Sequence, residues 1–180
     1  MPRLRPINRR KAPTATQKLL ARVEDQLGMV PNLIATMAQS TSVARAYLSM
    51  AEALADGDLP ESLREQIALT VSQANDCDYC VAGHSAVGSS IGLTDDEVRD
   101  ARNATSPDRK TEAVLQFAHH IVVRRGSLSD ADINEIRAAG LSDAEIMEII
   151  AHVAMNIFTN YVNLIARTDI DFPPVADIDP

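Results

Sequence analysis

The sequence predicts an all-α fold, a multi-helical bundle of about eight helices, and three observations predict it. Apolar residues recur at spacings of three and four along nearly the whole chain. One start signal appears three times: a Gly, then a Ser or Thr cap, then an acid three residues after the cap. Alternating runs of the kind a half-buried strand needs are nearly absent, since "IVVRR" is short and sits inside a helical pattern. With 180 residues, 46% of them hydrophobic, the chain is long enough for one domain with a sizeable core.

The elements follow in order. "TATQKLLARVEDQLG" sets Leu19, Leu20, Val23 and Leu27 on one stripe, with Gly28 as its stop. "TSVARAYLSMAEALADG" repeats Val43, Tyr47, Met50 and Leu54 at spacings of four and three. "PESLREQIALTVSQAN" opens with a proline suited to a first helical turn, and Leu63, Ile67, Thr70, Val71 and Ala74 form its main buried face. Asn75 and Asp76 are good N-caps for a helix running through "CDYCVAGHSAVG". "GLTDDEV", "GSLSDADI" and "GLSDAEI" carry the three capping signals, and Pro107 ends one helix before "DRKTEAVLQFAHHIVVRRG" begins the next. The last helix, roughly 142–167, places Glu145, Glu148, His152, Asn156, Thr159, Asn163 and Arg167 on one stripe. That stripe is open to three readings: a pocket lining, a subunit interface or a solvated face. Such a chain, with so much apolar surface on helices, is expected to form a helix-mediated oligomer.

Charge narrows the function. The net charge is −8, the pI is about 4.9, aromatic residues make up 3% and Trp is absent. An acidic chain binds nucleic acid poorly, and few rings are present for stacking bases. Seven basic residues and no acid lie within residues 1–23. The organisation expected is a basic arm over 1–13, solvated as termini usually are, and a single helical domain over 14–180. No apolar run resembles a signal peptide, and none reaches the ~18 residues needed to span a bilayer. The expected location is the cytoplasm, where cysteines rest as thiols.

The two cysteines, Cys77 and Cys80, stand three residues apart, with His84 four further on. Positions i, i+3 and i+7 share one helix face. Cys77, read in the first helical turn, would meet unpaired backbone N–H groups and the positive end of the helix dipole, which lower a thiol's pKa. His84 can take the proton of Cys80 directly or through water. Glu65 lies twelve residues before Cys77, off the main apolar stripe of its helix, and reads by itself as one acid on a solvated face.

The run of Glu65, "QIALTVSQAND", "CDYC", "VAG" and His84 resembles the signature of the alkylhydroperoxidase D-like group of the carboxymuconolactone decarboxylase superfamily. "VPNLIATMAQS" resembles that group's opening segment, and "HVAMNIFTNYVNLIARTDIDFP" the C-terminal segment of its peroxidase-related branch. The resemblance covers roughly residues 28–173. It implies an all-helical fold assembling into dimers, trimers or hexamers. It implies a thiol peroxidase whose cysteines reduce hydrogen peroxide or an organic hydroperoxide and close to a disulfide, with a dithiol or protein reductant restoring them. No metal or organic cofactor is expected. By position, Glu65 and His84 would form a proton relay, Cys80 would attack the peroxide and Cys77 would resolve the sulfenic acid. The helix-end argument instead favours a low pKa for Cys77, so the attacking thiol stays open. Tyr79 stands where the best-known members have a histidine, and a phenol titrates too high to shuttle protons at neutral pH.

Other readings remain beside this one. The pair could serve a thiol–disulfide reductase or redox adaptor with little peroxidase turnover. Cys77, Cys80 and His84 could ligate zinc with His119, His120 or His152 in a non-enzymatic module, although zinc cysteine pairs usually have a second pair elsewhere. The cysteines could also be plain core. Tyr79, His152 and Asn156 are the possible auxiliary residues. His119 and His120, being adjacent, point to different sides of their helix. Met29, Met37, Met50, Met147 and Met155 read as core filler.

Overall fold

A computed structural model of the chain describes residues 1–175. Among them are nine α-helices and no strand: α1 (Thr14–Leu27), α2 (Asn32–Met37), α3 (Thr41–Ala55), α4 (Glu61–Ala74), α5 (Asp78–Ser90), α6 (Asp95–Arg102), α7 (Arg109–Val123), α8 (Asp130–Ala138) and α9 (Asp143–Ala166). A short 3-10 turn spans Arg9–Lys11. The three capping signals all close as reciprocal capping boxes, Thr94 with Glu97, Ser129 with Asp132 and Ser142 with Glu145. Each satisfies two otherwise unpaired donors of a helix start. That is why the boundaries of α6, α8 and α9 were legible in the chain.

Helix α4 is the axis of the fold. It packs against α5, α6, α7 and α9, so every residue from Gln66 to Ser72 is buried, not only the predicted face. Ile67, Leu69, Leu115, Ile149 and Val153 lie at the centre of the larger core. A second apolar cluster gathers Leu20, Val23, Leu33, Ile34 and Met37 around Cys77, Tyr79 and Cys80. The cysteines thus belong to a cluster of their own, on the side of α4–α5 that faces α1 and α2.

Three expectations change. Helix α3 fully buries only Ala44; Val43 and Met50 are exposed, because α3 packs on few neighbours. Of the five methionines read as core filler, Met37 is buried, whereas Met29, Met50 and Met147 are exposed. Helix α9 buries polar side chains beside the apolar Ile146, Ile149 and Val153. His152, Asn156, Thr159, Asn160 and Asn163 face inward, while Met147, Ile150, Phe158, Tyr161, Leu164 and Ile165 face out. Contrary to the sequence reading, α9 is long and apolar enough to cross a bilayer by length and composition alone, with 44% of the relevant window buried inside the protein. Its inward asparagines and histidine pack on α4 and α5, which is the pattern of a core helix.

The basic arm is not frayed along its backbone. Arg3 and Leu4 donate to the Ala166 carbonyl, and Ile7 N–H donates to Ala35 O at 2.9 Å. Its arginine side chains remain at the surface.

Candidate active site

The corner between α4 and α5 builds the site. Asn75 and Asp76 do not open α5; they close α4. Asp76 adopts φ 53°, its N–H donates to Gln73 O, and Cys77 N–H reaches Ser72 O at 2.9 Å. This pair of bonds is a Schellman closure with a non-glycine residue in the left-handed position. Cys77 is therefore the last residue of that closure and also the N-cap of α5. It caps the helix from outside, whereas the sequence alone predicts it inside the first turn. Asn160 fastens the corner from α9: its side-chain oxygen accepts from Asn75 at 2.9 Å, and its amide donates to Ser72 at 3.3 Å.

This local geometry makes the two sulfurs unequal. Both thiols are free and nearly inaccessible, Cys77 at 1% and Cys80 at 3% exposure. The Cys77 thiol donates toward Cys80, which pulls Cys80 down to about 7. Burial opposes this; the Asn163 amide, 3.1 Å from the Cys80 sulfur, and the His84 charge reinforce it. The same hydrogen bond, together with burial, pushes the Cys77 thiol far up. The pair thus loses one proton from Cys80 and retains the other on Cys77. The helix-end expectation of a low pKa at Cys77 does not hold: the Cys80 backbone N–H does act to lower it, but the proton shared with the Cys80 sulfur and burial outweigh that donor.

His84 lies one turn beyond Cys80 on α5. Its Nδ1 sits 2.8 Å from Glu65 Oε2, across from α4, with both side chains half-buried. Burial alone would lower the imidazole pKa. The Glu65 charge and hydrogen bond, the Cys80 sulfur and a contact from Asn156 outweigh it, so His84 is raised above its ordinary value. The structure therefore brings together Glu65, Cys77, Cys80, His84 and Asn156. Asn156 also donates to its own helix at His152 O, 2.9 Å away.

Of the other two auxiliary residues, Tyr79 lines the same cavity as Cys80 and His84, and its hydroxyl is engaged by a backbone donor. The Tyr79 hydroxyl accepts from Leu33 N–H at 3.0 Å and its ring meets Phe172 edge-on at 5.6 Å. Burial, above all, pushes its phenol far up. Tyr79 thus fastens α2 and the C-terminal tail to α5 and does not replace an imidazole. The tail itself is pinned by Asp171, which accepts from Asn32 N–H at 2.7 Å. His152 is buried with its Nε2 unpaired among the described residues; burial and the nearby Arg64 lower its pKa. His119 and His120 pack on each other with ring centroids 6.1 Å apart. Among the described residues, no three His, Cys, Asp or Glu side chains converge as a metal-ligand set.

Cys80 and His84 open onto a cavity of about 240 Å³, lined mainly by apolar side chains including Leu33, Ile34, Val87 and Phe172. Gly83 admits the Phe172 ring: a Cβ there would lie 3.2 Å from its edge. Sequence reasoning did not select Tyr47, whose hydroxyl-bearing ring also lines this cavity. Burial first, then Glu65 and Cys80, push its phenol up to about 12. Nor did it single out Asn160 or give Asn163 a partner. The signal available was three asparagines at i, i+4 and i+7 of an otherwise apolar helix.

A buried pair of helical thiols therefore lies beside a half-buried acid–imidazole pair. The carboxymuconolactone decarboxylase family model matches residues 41–122, which contain Glu65, both cysteines and His84. A peroxidase-related protein from Silicibacter sp. TM1040 superposes with a TM-score of 0.82 at 23% identity, covering 93% of this chain and 92% of its own. A protein from Ralstonia eutropha JMP134, described as an alkylhydroperoxidase AhpD core and peroxidase-related, gives 0.83 at 26% identity, covering 94% and 92%. A cysteine-to-alanine variant of the debrominase Bmp8, in complex with 2,3,4-tribromopyrrole, gives 0.80 at 25% identity, covering 94% and 91%. No curated protein matches the sequence significantly. Residues 41–122 thus match the carboxymuconolactone decarboxylase family, and the fold is similar to that of the alkylhydroperoxidase AhpD core protein.

Proposed function

We propose that the protein is a thiol-dependent peroxidase for organic hydroperoxides or hydrogen peroxide, working in the cytoplasm. The observation that carries this reading is the setting of Cys80. Its sulfur is held near neutral pKa by a thiol and an amide donor, at an apolar cavity shared with the His84–Glu65 pair.

The Cys80 thiolate attacks the terminal peroxide oxygen, and the O–O bond breaks. His84, protonated and held by Glu65, gives its proton to the departing alkoxide, which leaves as the alcohol. Cys80 is then a sulfenic acid. Cys77 attacks that sulfur, the disulfide forms, and hydroxide leaves as water with the Cys77 proton. One hydroperoxide and two thiols become one alcohol, one water and one disulfide, and an external dithiol returns the pair to thiols. The near-complete burial of both sulfurs disfavours a bulky protein disulfide as substrate, so this reading is preferred to a redox adaptor.

The likeness to a debrominase favours a second reading on the same residues. There the thiolate takes bromine from a protonated bromoarene, and Cys77 displaces bromide. One C–Br bond and two thiols become one C–H bond, one disulfide and hydrogen bromide. Reduced protein given one equivalent of cumene hydroperoxide, or of a bromopyrrole, separates the two. Loss of two thiols as an intramolecular disulfide with cumene alcohol supports the peroxidase. Bromide release without peroxide consumption supports the second reading. Consumption of neither faster than by free cysteine at matched pH refutes both.

The outward face of α9, with Met147, Phe158, Tyr161 and Ile165 exposed, is the proposed contact of a homo-oligomer.

A further inference from the structure

The cavity at Cys80 is not closed. Leu27, Ile34 and Tyr47 line it and also line a wider groove of about 630 Å³ between α1 and α3. Alone, the inner cavity falls below the ~300–1,000 Å³ of ordinary small-molecule sites, and joined to the groove it lies within that range. The groove is charged as well as apolar. Lys18, Arg22 and Arg45 line it against one acid, Glu52. Arg22 is paired with Glu52 at 2.8 Å. Lys18 and Arg45 make no ion pair or side-chain hydrogen bond among the described residues. Two unneutralised cations thus flank the approach to the thiols of a protein whose net charge is −8.

An anion at Lys18 and Arg45 with an apolar chain running past Leu27, Ile34 and Tyr47 would bring its far end to Cys80. We propose that the substrate is amphipathic: a hydroperoxide of a long-chain carboxylic acid, its carboxylate held at the groove and its hydroperoxide in the inner cavity. This rests on the peroxidase reading and adds a substrate class to it. The reaction is the one balanced above, with the hydroxy acid as the alcohol product. The basic arginine and lysine in α1 and α3 then have a use that neither the fold nor the redox step requires.

The test compares linoleic acid hydroperoxide, its methyl ester and cumene hydroperoxide on wild type and on the Lys18→Gln/Arg45→Gln double variant. Wild type should prefer the acid to the ester in kcat/KM by about tenfold, since two partly exposed ion pairs together contribute on the order of 1–2 kcal/mol. The preference should weaken with added salt and fall to about one in the variant. Laurate binding by calorimetry gives a readout without turnover: wild type binds, and the double variant binds about tenfold more weakly. Equal kcat/KM for acid and ester, with cumene hydroperoxide still reduced, overturns the inference and leaves the peroxidase standing. If no hydroperoxide is reduced, the peroxidase reading fails; laurate binding lost in the variant then still supports the anion site, and absence of laurate binding to wild type overturns it.

Discussion

Replacing Cys77 with Ala removes the donor that most lowers the Cys80 pKa. Cys80 moves from an ordinary 9.0 to about 7, a preference for thiolate on the order of 3 kcal/mol. A hydrogen bond to a charged group contributes about 1.5–3 kcal/mol. Without it, Asn163 and His84 remain as helpers against burial, and Cys80 should rise by about one unit or more. The thiolate fraction at pH 7 then falls from about half to about a tenth, and the rate of any thiolate reaction at that pH falls about fivefold. Cys77→Ser keeps a hydroxyl donor at the same place and should titrate near wild type. The assay is ultraviolet thiolate absorbance against pH, with Cys80→Ser as reference, because it needs no reagent to enter the cavity. If the Ala and Ser variants titrate together near wild type, the hydrogen bond is not the cause. If the remaining thiol of Cys80→Ser ionises below that of Cys77→Ser, the low-pKa sulfur is Cys77, and the account of the corner is wrong.

Glu65→Gln removes the charge that holds His84 protonated. Burial then prevails, the His84 pKa drops, and the imidazolium is lost at lower pH as pH rises. The falling limb of the single-turnover peroxide rate should move to lower pH, and imidazole NMR shifts should track it; an unmoved limb contradicts the relay. Ile149→Ala empties a fully buried site between α9 and the core. It should cost about 2–5 kcal/mol in urea unfolding, and a loss below about 1 kcal/mol would place Ile149 outside the tight core. Phe158→Glu with Ile165→Glu should convert an oligomer to monomer in sedimentation velocity. A wild type that already sediments as a monomer removes the proposed contact.

Much of this architecture was legible because its signals are local. A capping box needs only two side chains three residues apart, and all three boxes were visible. The cysteine–histidine phasing was likewise a property of one helix. What was not legible depends on distant partners. Asn75 and Asp76 can cap a start or finish a helix; the choice was set by Asn160, 85 residues away from Asn75. The inward turn of the α9 asparagines requires a polar site on α4–α5 to receive them. Glu65 looked like one acid among many until α4 and α5 met. The contacts of Tyr79 could not be read from α5 alone, because Leu33 N–H and Phe172, on α2 and the tail, meet its hydroxyl and its ring. Tyr47 passed for an apolar stripe residue because nothing in α3 shows that the inner cavity lies beside it.

The attack by Cys80 is tested most directly by trapping the sulfenic acid. Cys77→Ser and Cys80→Ser, each reduced and given one equivalent of hydroperoxide with dimedone, are analysed by peptide mass spectrometry. A dimedone adduct on Cys80 in Cys77→Ser, with none on Cys77 in Cys80→Ser, is the predicted result. An adduct only on Cys77, or no adduct in either variant while the peroxide remains unconsumed, would contradict it.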